Sequence, residues 1–177
     1  MHKTSSHLLI IATLLLPGIA TALSSDRDQP IEVEADRVEF DEKRGISTYS
    51  GNVTFSQGSL HATADVVTIH TLNGQLDRVI AKGKPATFRQ RPDESSEDVR
   101  GSGEQLEYQA ETEQLTLSIN AELYQKGNRL TSQRIVYDAA RDSAVAGSTS
   151  TDSSHKPKNE RVRITIQPRE RKPAEKP

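Results

Sequence analysis

"SLHATADVVTIH" (Ser59–His70) is apolar at Leu60, Ala62 and Ala64, then changes parity and is apolar at Val67 and Ile69. Side chains of a strand alternate between faces, so a change of parity turns the apolar set to the opposite side of a sheet. A β-bulge at the changeover returns the set to one side and bends the strand. The same pattern is written three more times. Ile31, Val33 and Ala35 shift to Val38 and Phe40; Val99, Gly101 and Gly103 shift to Leu106 and Tyr108; Ser132 precedes Ile135 and Tyr137. The small residues at the changeovers, Ala35, Ala64, Gly103 and Ser132, lie 29, 39 and 29 residues apart. The longer middle gap holds "RPDESSED" (Arg91–Asp98), read as an exposed loop. A second echo, "GNVTFSQG" (Gly51–Gly58) against "NAELYQKG" (Asn120–Gly127) with a one-residue slip at the turn, points to a duplication.

The rest of the chain alternates in the same way. Val53 and Phe55 alternate with Asn52, Thr54 and Ser56, and Leu115, Leu117 and Ile119 with Thr116 and Ser118. "LNG" (Leu72–Gly74) and "QKGN" (Gln125–Asn128) have hairpin-turn chemistry, and no long run has helical periodicity. The reading is an all-β fold, mainly antiparallel, built from repeated kinked strand pairs. A polar linker at about 148–159 precedes one more alternating strand, "RVRITI" (Arg161–Ile166), with Val162, Ile164 and Ile166 on its apolar side. Residues 168–177 are charged and proline-rich and are read as a disordered basic tail.

The first 22 of the 177 residues have the grammar of a secretory signal: Lys3, an apolar run from Leu8 to Ala20, and Ala20-Thr21-Ala22 as cleavage site. The expectation is cleavage after Ala22, the alternative an uncleaved N-terminal anchor. The chain has no cysteine, which leaves no site for a lipoprotein anchor and no disulfide framework. Apolar residues make up 33% and aromatics 4%, too lean for a thick two-sided core and better suited to one sheet with one apolar face. Residues 23–147 carry 14 Lys+Arg against 21 Asp+Glu, and 148–177 carry 8 against 4. An acidic body argues against nucleic acid, which calls for clustered positive charge. The basic tail reads as a solvated end.

Chemistry is sparse. His61 alternates against Leu60 and Ala62 and faces solvent; His155 lies in the linker; with His70 they make no metal set, and no cofactor is expected. Neither H-E-x-x-H nor G-x-S-x-G occurs, and "RGSGEQ" lacks the Lys-Ser/Thr of a phosphate loop. No enzyme is expected. The apolar stripes are the candidate binding surface. Ile31, Val33, Val38 and Phe40 would begin it. Val53, Phe55, Leu60, Val67, Ile69 and Phe88 would continue it. Leu106, Tyr108, Leu115, Leu117, Leu123, Ile135 and Tyr137 would complete it. Some must simply fill a core. The rival is a carbohydrate-binding β-sandwich, against which the absence of tryptophan counts.

"DQPIEVEADRVEFDEKRGISTYSGNVTFSQG" (Asp28–Gly58), "GKPATFRQ" (Gly83–Gln90) and "GSGEQLEYQAETEQLTLSINAELYQKG" (Gly101–Gly127) together resemble the periplasmic lipopolysaccharide-transport protein A family, the OstA-like domain, over about Asp28 to Ile166. The resemblance implies an open, twisted β-jelly roll over residues 23–167, in the periplasm of a Gram-negative bacterium. It implies a bridge that holds lipid A acyl chains and passes lipopolysaccharide from an inner-membrane export complex to an outer-membrane translocon. The membrane-anchored export component would dock at the N-terminal edge (Ile31, Glu32, Val33, Glu34). The translocon's periplasmic domain would dock at the C-terminal edge (Arg161, Val162, Arg163, Ile164, Ile166), and copies would join head to tail. The acidic and basic rows of these two edges would lie side by side across such a joint; the alternative is that they only keep two edges soluble. The acidic insertion and the tail depart from the family pattern and take no role from it.

Truncation after Pro168 is expected to move the thermal midpoint by no more than about a degree or two, since no buried area is lost. A larger fall in a melting curve would show the tail packing on the body.

Overall fold

The computed structural model describes Asp26 and residues 29–92, 95–147 and 161–167. The expected signal peptide, the linker at 148–159 and the tail at 168–177 lie outside the described residues.

Among the described residues ten strands form one antiparallel sheet: β1 (Ile31–Glu34), β2 (Arg37–Asp41), β3 (Ile46–Gln57), β4 (Leu60–Leu72), β5 (Gln75–Gln90), β6 (Val99–Gln109), β7 (Gln114–Gln125), β8 (Asn128–Asp138), β9 (Ser143–Ala146) and β10 (Arg163–Thr165). The hydrogen-bonded order is β1-β3-β4-β5-β6-β7-β8-β10, with β2 also on β3 and β9 also on β8. The sheet is open. Hairpin turns supply the chain reversals: Asn73-Gly74 and Lys126-Gly127 both have positive φ, as two-residue loops that follow the strand twist require.

The parity changes are bulges. Register slips between Ser50 and Val53 in β3, between Lys82 and Ala86 in β5, between Ser102 and Gln105 in β6, and between Ser118 and Ala121 in β7. The slips align across the sheet and pass through Ala64 and Gly103 and opposite Ser132. Ala35 and Asp36, between β1 and β2, continue the line to the edge. The duplication shows at this line. Gly51 and Asn52 in β3 match Ile119 and Asn120 in β7, all four at positive φ. Asn52 Nδ2 donates to Asp36 Oδ2 at 3.0 Å, and Asn120 Nδ2 donates to Glu104 Oε1 at 3.0 Å.

The line divides the strands into two arms that fold toward each other. On the lower arm one inward row runs Val33, Phe55, Ala62, Phe88, Gly101, Leu123, Leu130 and Ile164. On the upper arm a row runs Val38, Tyr49, Val67, Ala81, Leu106, Leu117, Ile135 and Ala146; the next runs Phe40, Ser47, Ile69, Val79, Tyr108, Leu115, Tyr137 and Ala144. The arms meet at Gly101, where a Cβ would run into the Phe88 ring and lie 2.6 Å from Leu117 Cδ2. Leu117 thus crosses the bulge line to fill the space that the glycine leaves.

Two readings change. Ile119 does not continue the inward stripe: it sits in the bulge, at φ 62°, and is exposed. "RVRITI" forms only the three residues of β10, with Arg161, Val162 and Ile166 beside it and not in it. The short strand β9 escaped the sequence reading because two alanines and a valine carry little alternation signal.

A β-branched residue in the left-handed region is strained by roughly 1–2 kcal/mol, against a smaller entropic cost for glycine. Ile119→Gly is therefore expected to stabilise the fold by about 1 kcal/mol or less. Gly51→Ile should destabilise it, since a Cβ there runs into Asp36. Urea unfolding of the two variants checks the asymmetry.

Candidate functional site

The candidate site is the inward face itself. Val53, Val67, Phe88, Leu106, Leu117, Leu123, Ile135 and Tyr137 are buried in it. Val33, Phe55, Leu60, Ile69, Tyr108 and Leu115 are half-buried on it. Burial falls away toward each edge of the sheet, in the upper rows at the N-terminal edge and in the lower row at the C-terminal edge. At the N-terminal edge Ile31 is 54% exposed, Val38 44% and Phe40 66%; at the C-terminal edge Ile164 is 59% exposed, with Val162 and Ile166 similarly open. Between the edges, Leu117 in β7 and Ile135 in β8 have no exposure. The face is a closed core at its centre and an unfinished one at each end of the sheet.

The sequence reading missed Tyr49. It sits between Val38 and Val67 in the upper row and meets Phe40 edge-on at 6.3 Å between ring centres. Its signal was hidden because the polar run "GISTYSG" places one tyrosine among small hydroxylated residues.

The outward face has a different character. His61, Arg89, Arg100, Tyr124 and Arg129 are consecutive cross-strand neighbours. Tyr124 lies under two guanidinium groups, Arg100 at 6.0 Å and Arg129 at 5.5 Å from its ring centre. Glu122 takes two hydrogen bonds from Arg129, which hold its carboxyl below the usual range. Among the described residues no three His, Asp or Glu side chains gather as metal ligands would.

Both docking edges of the sequence reading are sheet edges, and each is split. β1 and β2 share the open side of β3; β9 and β10 share the open side of β8. Glu32 and Glu34 face outward on β1, paired with Ser56 and Thr54, and Arg163 faces outward on β10, paired with Thr131.

Residues 32–143 match the family model of the LptA/(LptD N-terminal domain) LPS transport proteins. The chain belongs to this family. It is 34% identical over 155 residues to the lipopolysaccharide export system protein LptH of Pseudomonas aeruginosa, covering 87% of this chain and 88% of that one. It is 32% identical over 139 residues to the lipopolysaccharide export system protein LptA of Escherichia coli K12, covering 77% of this chain and 75% of that one. The crystal structure of LptH, described as the LptA-homologous periplasmic component of the lipopolysaccharide transport device, superposes with a TM-score of 0.72, covering 81% of this chain and 99% of that one. The family transports a lipid and is not catalytic, and a periplasmic location goes with it.

Asp26 fastens the rim of the lower arm at the N-terminal end. Its carboxylate accepts from the Ser59 N–H and hydroxyl, both at 2.7 Å, and from Gln90 Nε2 at 3.2 Å, joining the β3–β4 turn to the end of β5. Burial pushes this carboxyl up, but the hydrogen bonds outweigh it and its pKa lies below the ordinary value. A depressed folded-state pKa contributes stability above the unfolded pKa, lost as pH falls through the folded one. Asp26→Asn should therefore unfold at lower urea than wild type at pH 7, with the gap narrowing below about pH 4. A gap that stays constant across pH would show that the charge of Asp26 contributes nothing.

Proposed function

We propose that this chain is a periplasmic bridge that receives lipopolysaccharide at its N-terminal edge and passes it to a partner at its C-terminal edge, with the acyl chains against the inward face. The observation that carries the reading is the continuity of three apolar rows over eight strands, buried between the edges, with the two upper rows bare at Val38 and Phe40 and the lower row bare at Ile164. Each buried methylene is worth roughly 0.8 kcal/mol, so a twelve-carbon acyl chain in water costs on the order of 10 kcal/mol. A continuous apolar face removes that barrier. It also makes neighbouring positions nearly equal in energy, since one apolar contact replaces another, so direction must come from outside the chain.

The edges suit docking by strand addition. An unpaired edge offers free backbone donors and acceptors, and a partner strand there extends both the sheet and its apolar rows. In this reading the membrane-anchored export component adds to β1 and β2, and the translocon's periplasmic domain adds to β9 and β10. A further copy of the chain fits either edge. A joint of this heterologous kind does not close on itself. Acidic Glu32 and Glu34 against basic Arg161 and Arg163 would set register more than affinity, since such cross-strand pairs contribute only roughly 0.2–1 kcal/mol each. The mature chain in this reading begins after the cleaved segment 1–22.

The test is photocrosslinking in cells from Phe55 and Tyr108. Capture of lipopolysaccharide at both is expected; capture of glycan without lipid A would support the sandwich reading instead. Two substitutions separate binding from folding. Val67 is buried, so Val67→Asp should lose several kcal/mol of stability, about the cost of an uncompensated buried charge. Val38 is at the bare end, so Val38→Asp should fold normally and still weaken lipid capture. A folded Val38→Asp protein that captures lipid like wild type would remove Val38 from the path.

A further inference from the structure

The two arms carry a polar tie at their tips, and it lies at one end of the molecule. Asp142 stands in the turn between β8 and β9, at the tip of the upper arm; Gln125 and Lys126 stand at the β7–β8 turn, at the tip of the lower arm. The eleven residues of β8 that separate these tips would span roughly 33 Å from first to last if the strand were straight. Yet Lys126 Nζ lies 2.5 Å from Asp142 Oδ2. Gln125 Nε2 donates to the Asp142 carbonyl at 3.2 Å and to its Oδ1 as well. Tyr137, from the inward face, donates its hydroxyl to the same Oδ1 at 3.2 Å. Burial, and then the Asp142 carboxylate, push the Tyr137 hydroxyl's pKa upward, so it stays a donor.

The other end is arranged differently. Asp41, at the β2–β3 tip, takes its bonds from Arg44 within the same turn. Ser59, at the β3–β4 tip, bonds Asp26 and Arg91 on its own arm. A cleft of about 540 Å³ lies between the β2–β3 and β4–β5 turns at the tip of the upper arm, lined in part by Phe40, Ile46 and Leu72.

We infer that Asp142 is a clasp that shuts the C-terminal half of the groove along its long side, so that acyl chains received at the N-terminal edge occupy the unclasped half at β2–β5 and reach β7–β9 only when the clasp opens. The inference rests on the acyl-groove reading. It makes Asp142 a positioning residue of transport, one that touches no lipid and decides where lipid is admitted. One of its four bonds, from Lys126, is exposed and the other three are part-buried; all four are made by side chains at the tips, so the tie can open without breaking a strand pairing.

The chain has no cysteine, so Lys126→Cys with Asp142→Cys introduces a unique thiol pair across the seam. A reducible bis-methanethiosulfonate reagent then locks the tips together. Photoreactive residues at Ile69, in the open half, and at Leu130, in the clasped half, report purified lipopolysaccharide. The locked protein should form the Ile69 adduct and lose the Leu130 adduct, and reductant should restore it. Asp142→Ala, checked for a cooperative melt, should raise Leu130 capture relative to Ile69. Leu130 capture unaffected by the lock, or an unchanged ratio in Asp142→Ala, would overturn the clasp and leave the groove reading standing. Absence of both adducts in the unlocked protein would overturn the groove reading and the clasp with it.

Discussion

A long strand can keep one apolar face inward through a sharp bend only if it loses a residue of register at the bend. Everything else in this protein depends on that constraint. The bulges of β3 to β8 fall on one line, so the whole sheet folds along a common crease and no strand is left facing the wrong way. Asn52 with Asp36, and Asn120 with Glu104, fix the crease by pairing a bulge amide with an acid, in the link between β1 and β2 for the first and on the neighbouring strand β6 for the second. Gly101 lets the arms close to contact, because Leu117 occupies the room that a side chain there would take.

In the proposed function the crease also resolves a conflict between stability and transport. A core that is fully buried cannot take a guest, and a face that is fully exposed cannot hold a fold. Here the burial is graded along the sheet. The strands between the edges supply the stability through residues such as Val67 in β4, Leu106 in β6 and Leu117 and Leu123 in β7. The end strands leave Phe40 and Ile164 bare, and these are the positions a hydrophobic guest or a partner strand would cover. The carboxylate of Asp142 then adds a reversible polar contact in a region otherwise joined by apolar packing.

Much of this was legible in the sequence because the parity change at Ala64 is a local signal with one geometric solution. The four repeats gave the crease, and Asn73-Gly74 and Lys126-Gly127 gave the hairpins. The resemblance of "GNVTFSQG" and "GKPATFRQ" to lipopolysaccharide-transport proteins gave the family. What stayed hidden was non-local. Ile119 looks inward by alternation, and only the pairing of β7 with β8 shows it in the bulge. Tyr49 is masked by its hydroxylated neighbours. The split of each edge into two short strands depends on which side of β3 and β8 is free, which no run of residues records. Asp142 looks like one more surface acid until the crease brings Gln125 and Lys126 to it.

The sheet order has one more consequence. Strands follow one another in sequence along almost the whole sheet, each packing chiefly on its immediate neighbours, and the crease residues return with an offset of 68 between Asn52 and Asn120. Such a body is modular in one dimension, like a solenoid. Inserting or deleting a whole pair of hairpins would change its length while leaving every remaining contact as it was. Reach across an aqueous gap is thus a quantity that gene duplication can adjust in steps, without redesigning a core.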